Sequence, residues 1–178
     1  MSDLEFKAWP KIYRYNPFNV TITEKLDGTN ACVIVEGGEV VGCQSRKRII
    51  TPESDNYGFA QWVEDNKEDL SNLGDGYHYG EWVGEGIQKN PHNLSGKHFC
   101  LFNTSLWSDP ERRPDCCNVV RVLFEGCMDK ETVPQILDKL YEEGLEEGTT
   151  PEGVIVYYHA FRMMTKHTIK SPNGKWFK

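Results

Sequence analysis

Lys25 is the candidate nucleophile of this sequence. It lies in the segment TEKLDGTN, residues 23–30, at the end of a β-rich run and just before a turn at Gly28. An amine attacks only in its uncharged form, and an unperturbed lysine is almost wholly charged at neutral pH. Burial or nearby positive charge favours the neutral form, and Lys166, Lys170 or a metal ion could supply that charge. By itself, the pattern Lys-x-Asp-Gly also fits an ordinary β-turn.

Further polar and aromatic segments follow Lys25 along the chain. They are Arg46 after a Gly37-Gly38 hairpin, then Tyr79-Gly80-Glu81-Trp82-Val83-Gly84, Phe99-Cys100-Leu101-Phe102, Glu152-Gly153-Val154-Ile155-Val156 and Thr168-Ile169-Lys170. With the Lys25 segment as motif I, they resemble motifs III, IIIa, IV and V of the covalent nucleotidyltransferases, the polynucleotide ligases and mRNA capping enzymes. The resemblance runs from about residue 20 to about residue 170.

This resemblance assigns a role to each motif. Lys25 would attack the α-phosphorus of a nucleoside triphosphate and expel pyrophosphate. Glu81 would accept hydrogen bonds from the ribose hydroxyls, as a carboxylate can. Phe102 would stack on the purine, with Phe99 as its competitor. Glu152 would ligate Mg²⁺ or Mn²⁺, which prefer oxygen ligands.

Residues near the two ends of the resembling region are expected to supply the remaining nucleotide contacts. Glu24, directly before the nucleophile, is expected to bind the nucleotide, and Lys170 would neutralise the α-phosphate as charge develops. Motif V usually carries two lysines two positions apart, but Thr168 occupies the first position here. Because alternate residues of a strand share a face, Lys166 is a candidate replacement.

Asn30 indicates the branch of the superfamily. DNA ligases and capping enzymes typically carry arginine two positions after the motif I glycine, where this chain has Asn30. The pattern Lys-x-Asp-Gly-Thr-Asn resembles the RNA ligase 2 branch, which includes the kinetoplastid editing ligases, although Asp27 stands where that branch often has histidine. In that branch, residues matching Asn30 and Arg46 contact the phosphate and the RNA end.

The resemblance therefore implies an ATP-dependent RNA ligase that joins 5′-phosphate and 3′-hydroxyl RNA ends. Its intermediates would be a lysyl-AMP and an adenylylated RNA, and an accessory protein or an RNA-end-processing partner would assist. Three alternatives stay open: a DNA ligase core, a capping-type guanylyltransferase core, and a noncatalytic module that binds nucleotide or nucleic acid.

The order of elements predicts an α+β fold that positions these residues. Strands are expected near 20–24, 30–36, 39–45, 77–83, 98–103, 119–125, 153–158 and 162–170, with helices after residue 51 and over 132–147. This strand-rich order favours antiparallel sheets. The resemblance implies two of them, with flanking helices around a nucleotide cleft, in the ATP-grasp-like manner of ligase nucleotidyltransferase domains.

Composition limits the remaining possibilities. The 178 residues fit one domain, and the resemblance implies a single nucleotidyltransferase domain over 1–178 with no OB-fold after it. A net charge of −7 argues against nonspecific coating of nucleic acid. Six cysteines without C-x-x-C spacing predict reduced thiols and no zinc site. With no signal peptide or membrane span in the sequence, we expect a cytoplasmic location and no membrane partner.

Overall fold

The computed structural model describes residues 18–169, which form ten strands, four α-helices and one 3-10 helix. The strands are β1 (Phe18–Lys25), β2 (Thr29–Glu36), β3 (Glu39–Ser45), β4 (Ile49–Ile50), β5 (Gly76–Gly84), β6 (Lys97–Leu101), β7 (Cys117–Val119), β8 (Val122–Met128), β9 (Gly153–Tyr158) and β10 (Met163–Thr168). The helices are α1 (Phe59–Asp65), α2 (Lys67–Leu70), the 3-10 helix (Ser71–Leu73), α3 (Thr104–Trp107) and α4 (Thr132–Glu147). The helix predicted over 132–147 is confirmed.

The smaller sheet carries Lys25 on an inner strand. Its four strands are antiparallel and have the order β10-β9-β1-β8. Alternation along β1 sends Val20 and Ile22 into a core that α4 closes with Leu140. Lys25 therefore belongs to the opposite face of β1, and its backbone partner on β9 is Gly153.

The larger sheet contains the predicted glycine hairpin. Its six strands have the order β4-β3-β2-β5-β6-β7, and only the β6–β7 pair is parallel. Gly37 and Gly38 join β2 to β3 with φ angles of 62° and 77°. A type I′ turn requires this left-handed conformation at both central positions. The predicted fold class, α+β with two essentially antiparallel sheets, is confirmed.

An aromatic core fills the space between the larger sheet and its helices. Phe59 and Trp62 of α1 pack against Trp82 and Phe99 of the sheet, with ring centroids 5.1–5.8 Å apart. The prediction that the α1 aromatics serve core packing is thus confirmed. Because strand residues alternate, Glu81 lies on the other face of the sheet, which leaves that face available for a site.

The cysteines are all free thiols. Cys32, Cys43 and Cys100 are buried in strands, as their apolar neighbours predicted. Within residues 18–169, no helix has the length and apolar character needed to cross a bilayer.

Candidate active site

Lys25 and Glu152 meet where β1 and β9 come together. Lys25 is the last residue of β1 and pairs with Gly153, so Glu152 directly precedes its backbone partner. The Lys25 Nζ atom donates to Glu152 Oε2, and the two side chains are only 22% and 30% exposed. The strand register places this carboxylate beside the amine. The positive charge that the sequence leads us to expect there, from Lys166, Lys170 or a metal ion, stays a prediction.

A close backbone approach fixes the turn after Lys25. A Cβ atom at Gly28 would collide with the carbonyl oxygen of Trp82 and with the Val83 side chain. Only glycine can therefore let this turn lie against β5. The contact brings the nucleophile segment of the smaller sheet onto the larger sheet.

Glu81 and Asn30 form the second polar pair of the site. They face each other across β5 and β2, and Asn30 Nδ2 donates to Glu81 Oε2 at 3.1 Å. Gly28 donates a backbone hydrogen bond to the same carboxyl group. These two hydrogen bonds hold Glu81, the residue predicted to bind the ribose, in one orientation. Its carboxylate oxygens can still accept further hydrogen bonds from a bound nucleotide.

Burial dominates the electrostatics of Glu81. With 9% of its surface exposed, desolvation raises the pKa of the Glu81 carboxyl to about 7. Lys25 and the Gly28 hydrogen bond act in the opposite direction, while the negative charges of Glu152 and Asp27 add to the rise. Glu81 can thus exchange a proton near neutral pH.

Glu24 faces a cavity on the other side of β1. The cavity has a volume of about 270 Å³, and its walls include Glu24, Leu26, Cys100, Val120 and Arg121. Burial raises the pKa of Glu24, and the positive charge of Arg121 lowers it. The cavity is smaller than the roughly 300–1,000 Å³ pockets that hold drug-sized ligands. Its walls combine apolar side chains with three carboxylates, of which Glu24 is buried and Glu143 is paired with Arg121. The buried carboxylate beside apolar walls suits a flat heterocycle with a hydrogen-bond donor.

The two phenylalanines predicted to compete for base stacking lie in different environments. Phe99 is fully buried in the aromatic core and cannot reach a ligand. Phe102 is 42% exposed and follows the end of β6. It does not line the Glu24 cavity, whereas Cys100, two residues earlier and directly opposite Glu81, does. Stacking by Phe102 stays a prediction, and Cys100 is a cavity residue that the sequence did not single out.

Lys166 shares the sheet face that carries Lys25. It pairs with Ile155, which in turn pairs with Thr23 of β1, and alternation then puts Lys25 on this same face. The Lys166 side chain is exposed. Its predicted role as a replacement for the lysine missing at Thr168 remains a prediction, and Lys170 lies outside the described residues.

The basic cluster after β3 divides into two kinds of residue. The guanidinium of Arg48 is already hydrogen-bonded within the protein, because it donates to the carbonyl and hydroxyl oxygens of Ser54 and to the carbonyl of Asp55. Arg46 is exposed and follows Ser45, the partner of Ala31 and thus a neighbour of Asn30 in the sheet. Of the two arginines, only Arg46 is positioned to meet a ligand beside Asn30.

The carboxylates fit a divalent ion that brings most of its own ligands. Within the part of the chain that the structure describes, no three His, Cys, Asp or Glu side chains converge on one point. Mg²⁺ commonly uses one or two carboxylates together with substrate phosphates and water. Glu152, partly exposed beside Lys25, is the residue that would hold such an ion.

A lysine at a strand end, with one carboxylate against it and a second buried nearby, defines a site suited to covalent transfer of a phosphorylated group. Comparison with known proteins identifies the family of the chain. The family model described as RNA ligase matches residues 18–178. This match covers most of the sequence, and the chain belongs to the RNA ligase family.

Solved structures of the RNA ligase of Naegleria gruberi share the fold. A variant with ATP and Mn has a TM-score of 0.62 at 20% identity, over 86% of this chain and 49% of that one. A variant with AMP and Mn has a TM-score of 0.62 at 21% identity, and the ligase with PPi has 0.60 at 17%, each over 86% of this chain and 50% of that one. This chain therefore spans about half the length of these neighbours. The comparison with curated proteins gives no match.

Proposed function

We propose that this protein is an ATP-dependent RNA ligase that acts through a lysyl-AMP at Lys25. The observation that carries the proposal is the contact between Lys25 and Glu152 beside Glu81, within a chain of the RNA ligase family. The Naegleria structures with ATP, AMP, Mn and PPi support the choice of nucleotide and metal.

The reaction has three phosphoryl-transfer steps. In the first, the neutral Lys25 amine bonds through Nζ to the α-phosphorus of ATP, the bond to pyrophosphate breaks, and the one proton released from Nζ passes to solvent. In the second, a 5′-phosphate oxygen of RNA displaces Lys25 and takes the AMP. In the third, a 3′-hydroxyl attacks that 5′-phosphate, forms the phosphodiester and releases AMP. Each step replaces one bond at phosphorus by another, so positioning and charge stabilisation supply the catalysis.

The described side chains divide this work. Glu81 accepts from the ribose hydroxyls, and Asn30 and Arg46 bind phosphate oxygens at the rim of the site. The cavity beside Glu24 takes the base, where the buried carboxylate accepts from the exocyclic amine of adenine. Guanine presents a carbonyl at the corresponding position, so a carboxylate acceptor there favours ATP over GTP.

Glu152 holds Lys25 until the nucleotide arrives. In the described structure its carboxylate accepts a hydrogen bond from the Lys25 amine. A divalent ion bound to Glu152 would supply Lewis-acid charge at the phosphates. Lys166, on the same face, adds positive charge.

Intact-mass measurement tests the proposal. With ATP and Mg²⁺ the protein should gain one AMP, Lys25→Ala should gain none, and Lys130→Ala, which changes an exposed lysine, should behave as the wild type. A panel of nucleotides and of nicked and single-stranded RNA and DNA ends then distinguishes an RNA ligase from a DNA ligase or a guanylyltransferase core. Reversible ATP binding without any adduct would contradict the proposal and favour a noncatalytic module.

A further inference from the structure

The loop between β5 and β6, residues 85–96, has an unusual backbone beside the nucleophile. Three of its non-glycine residues adopt left-handed φ angles: 48° at Gln88, 46° at Asn90 and 49° at Asn93. Such conformations are costly for residues other than glycine and persist where surrounding contacts over-determine them, often at functional sites. The contacts that hold this loop in its conformation therefore indicate its role.

His92 contacts the chain on both sides of Lys25. Its Nε2 atom accepts a hydrogen bond from the Asp27 backbone N–H at 3.4 Å, and its Nδ1 atom lies 3.5 Å from Glu24 Oε1. The side chains of His92 and Glu24 are both only 12% exposed. One imidazole thus contacts the residue before the nucleophile and the second residue after it.

The partners of His92 determine its tautomer. A backbone N–H can only donate, so Nε2 must be unprotonated, and Nδ1 then carries the hydrogen that faces the Glu24 carboxylate. Burial lowers the pKa of His92 and so favours the neutral ring, although the charges of Asp27 and Glu152 act in the opposite direction.

The same loop makes further contacts, both with the turn after Lys25 and with the segment before Glu152. Gln88 Nε2 donates to the carbonyl of Gly28 at 3.2 Å. On the opposite side, the Thr150 N–H donates to the carbonyl of Pro91 at 2.8 Å, and Asn93 Nδ2 donates to the carbonyl of Gly148 at 2.8 Å. The loop therefore ties the Lys25 turn to the segment that leads into Glu152.

We propose that residues 85–96 form a clamp that sets Lys25 against Glu152 for transfer of AMP, with His92 as its central positioning residue. This inference rests on the proposed ligase function and adds to it a residue outside the recognised motifs. His92 acts through Glu24 and Asp27. Its loss should therefore affect the rate of the chemical step more than the binding of ATP, even though His92 also lines the cavity assigned to the base.

Single-turnover adenylylation followed by intact mass tests the clamp. His92→Ala should lower the rate constant at saturating ATP roughly 10- to 100-fold, the range expected from misplaced reacting groups, while the half-saturating ATP concentration changes less than about threefold. His92→Gln, which keeps an acceptor for the Asp27 N–H, should recover part of the rate. His78→Ala is the matched control, because His78 bonds to the Gly74 carbonyl and to no part of the loop or of the Lys25 turn.

The outcomes separate the clamp from the ligase proposal. An unchanged rate constant in a folded His92→Ala protein, or a loss confined to ATP affinity, would overturn the clamp while leaving the ligase intact. If the wild type forms no adduct, the ligase proposal fails and the clamp with it. Thermal unfolding of each variant shows whether it has folded.

Nitrogen NMR of the histidine side chains tests the clamp without any reaction. In the nucleotide-free protein, His92 should show a protonated Nδ1 and an unprotonated Nε2. His98 should show the opposite tautomer, because its Nε2 must donate to the Ser95 carbonyl at 2.8 Å. A His92 ring protonated at Nε2 could not accept from Asp27, and that result would overturn the clamp.

Discussion

Replacing Glu81 with glutamine should remove a pH dependence from the stability of this protein. Burial raises the pKa of Glu81 from 4.5 to about 7 in the folded state. Between these pH values the folded protein keeps a proton that the unfolded chain releases. The contribution of Glu81 to stability is therefore fully present below pH 4.5, falls as the pH rises towards about 7, and is lost above the folded pKa.

The expected size of the effect follows from these two pKa values. At about 1.4 kcal/mol for each pKa unit, the change from pH 5 to pH 8 costs the folded wild type about 2.5 kcal/mol at Glu81. Glutamine keeps an oxygen that accepts from Asn30 but cannot ionise. The Glu81→Gln protein should therefore gain about 2.5 kcal/mol relative to the wild type between pH 5 and pH 8.

Urea unfolding at pH 5, 6, 7 and 8 measures this difference. Glu24 and His92 also change pKa on folding, in opposite directions, but they are present in both proteins and cancel from the comparison. Glu111→Gln, at an exposed glutamate, is the control and should show no such gain. A constant difference between wild type and Glu81→Gln across this pH range would refute the assigned burial of the carboxylate.

Three further changes test other parts of the site. Gly28→Ala should lower the free energy of unfolding by at least about 1 kcal/mol because its Cβ has no room, whereas Gly42→Ala, in open space, should change it little. Glu24→Gln keeps the acceptor for His92 but loses the charge facing the cavity, so calorimetry should show ATP binding weakened about three- to tenfold. Glu152→Gln should raise the Mg²⁺ concentration needed for adduct formation at least about tenfold.

Each of these changes has a contrary outcome. Equal unfolding free energies for Gly28→Ala and Gly42→Ala would mean that the turn does not lie against β5. Unchanged ATP affinity in Glu24→Gln would place the base outside the cavity. An unaltered Mg²⁺ requirement in Glu152→Gln would remove the metal role of that carboxylate.

Motif order could place Lys25 and Glu152 in one candidate site because it relates residues that are distant in sequence. Sequence patterns also predicted the hairpin and helix α4, since a glycine pair and an apolar stripe are local signals. The contact of Lys25 with Glu152 depends on the register of β1 against β9. No local pattern sets that register, and for that reason the direct contact of the amine with a carboxylate could not be predicted.

Side-chain direction was harder to predict than element type. Phe99 and Phe102 look equivalent as aromatics, but one belongs to the core face of β6 and the other follows the end of the strand. A shift of one residue exchanges the two faces of a strand. The same limit hid Cys100, a small residue whose cavity position depends on its pairing with Glu81.

His92 gave no signal in the sequence. A single histidine in a loop of glycine and asparagine has no periodic neighbours, and its partners are more than 60 residues away, as with the Asp27 N–H, 65 positions distant. Arg48 lies in the same basic cluster as Arg46 and looks equally available in the sequence. In the structure its guanidinium is hydrogen-bonded to Ser54 and Asp55. Both assignments depend on long-range contacts that only the folded chain reveals.

Peptide mapping of the protein after reaction with ATP and Mg²⁺ shows directly whether Lys25 is the nucleophile. We expect one AMP on the peptide that contains residues 23–30, with the fragment ions placing it on the Lys25 side chain through a nitrogen–phosphorus bond. An AMP carried by any other residue, or by Lys25→Ala protein treated in the same way, would contradict it.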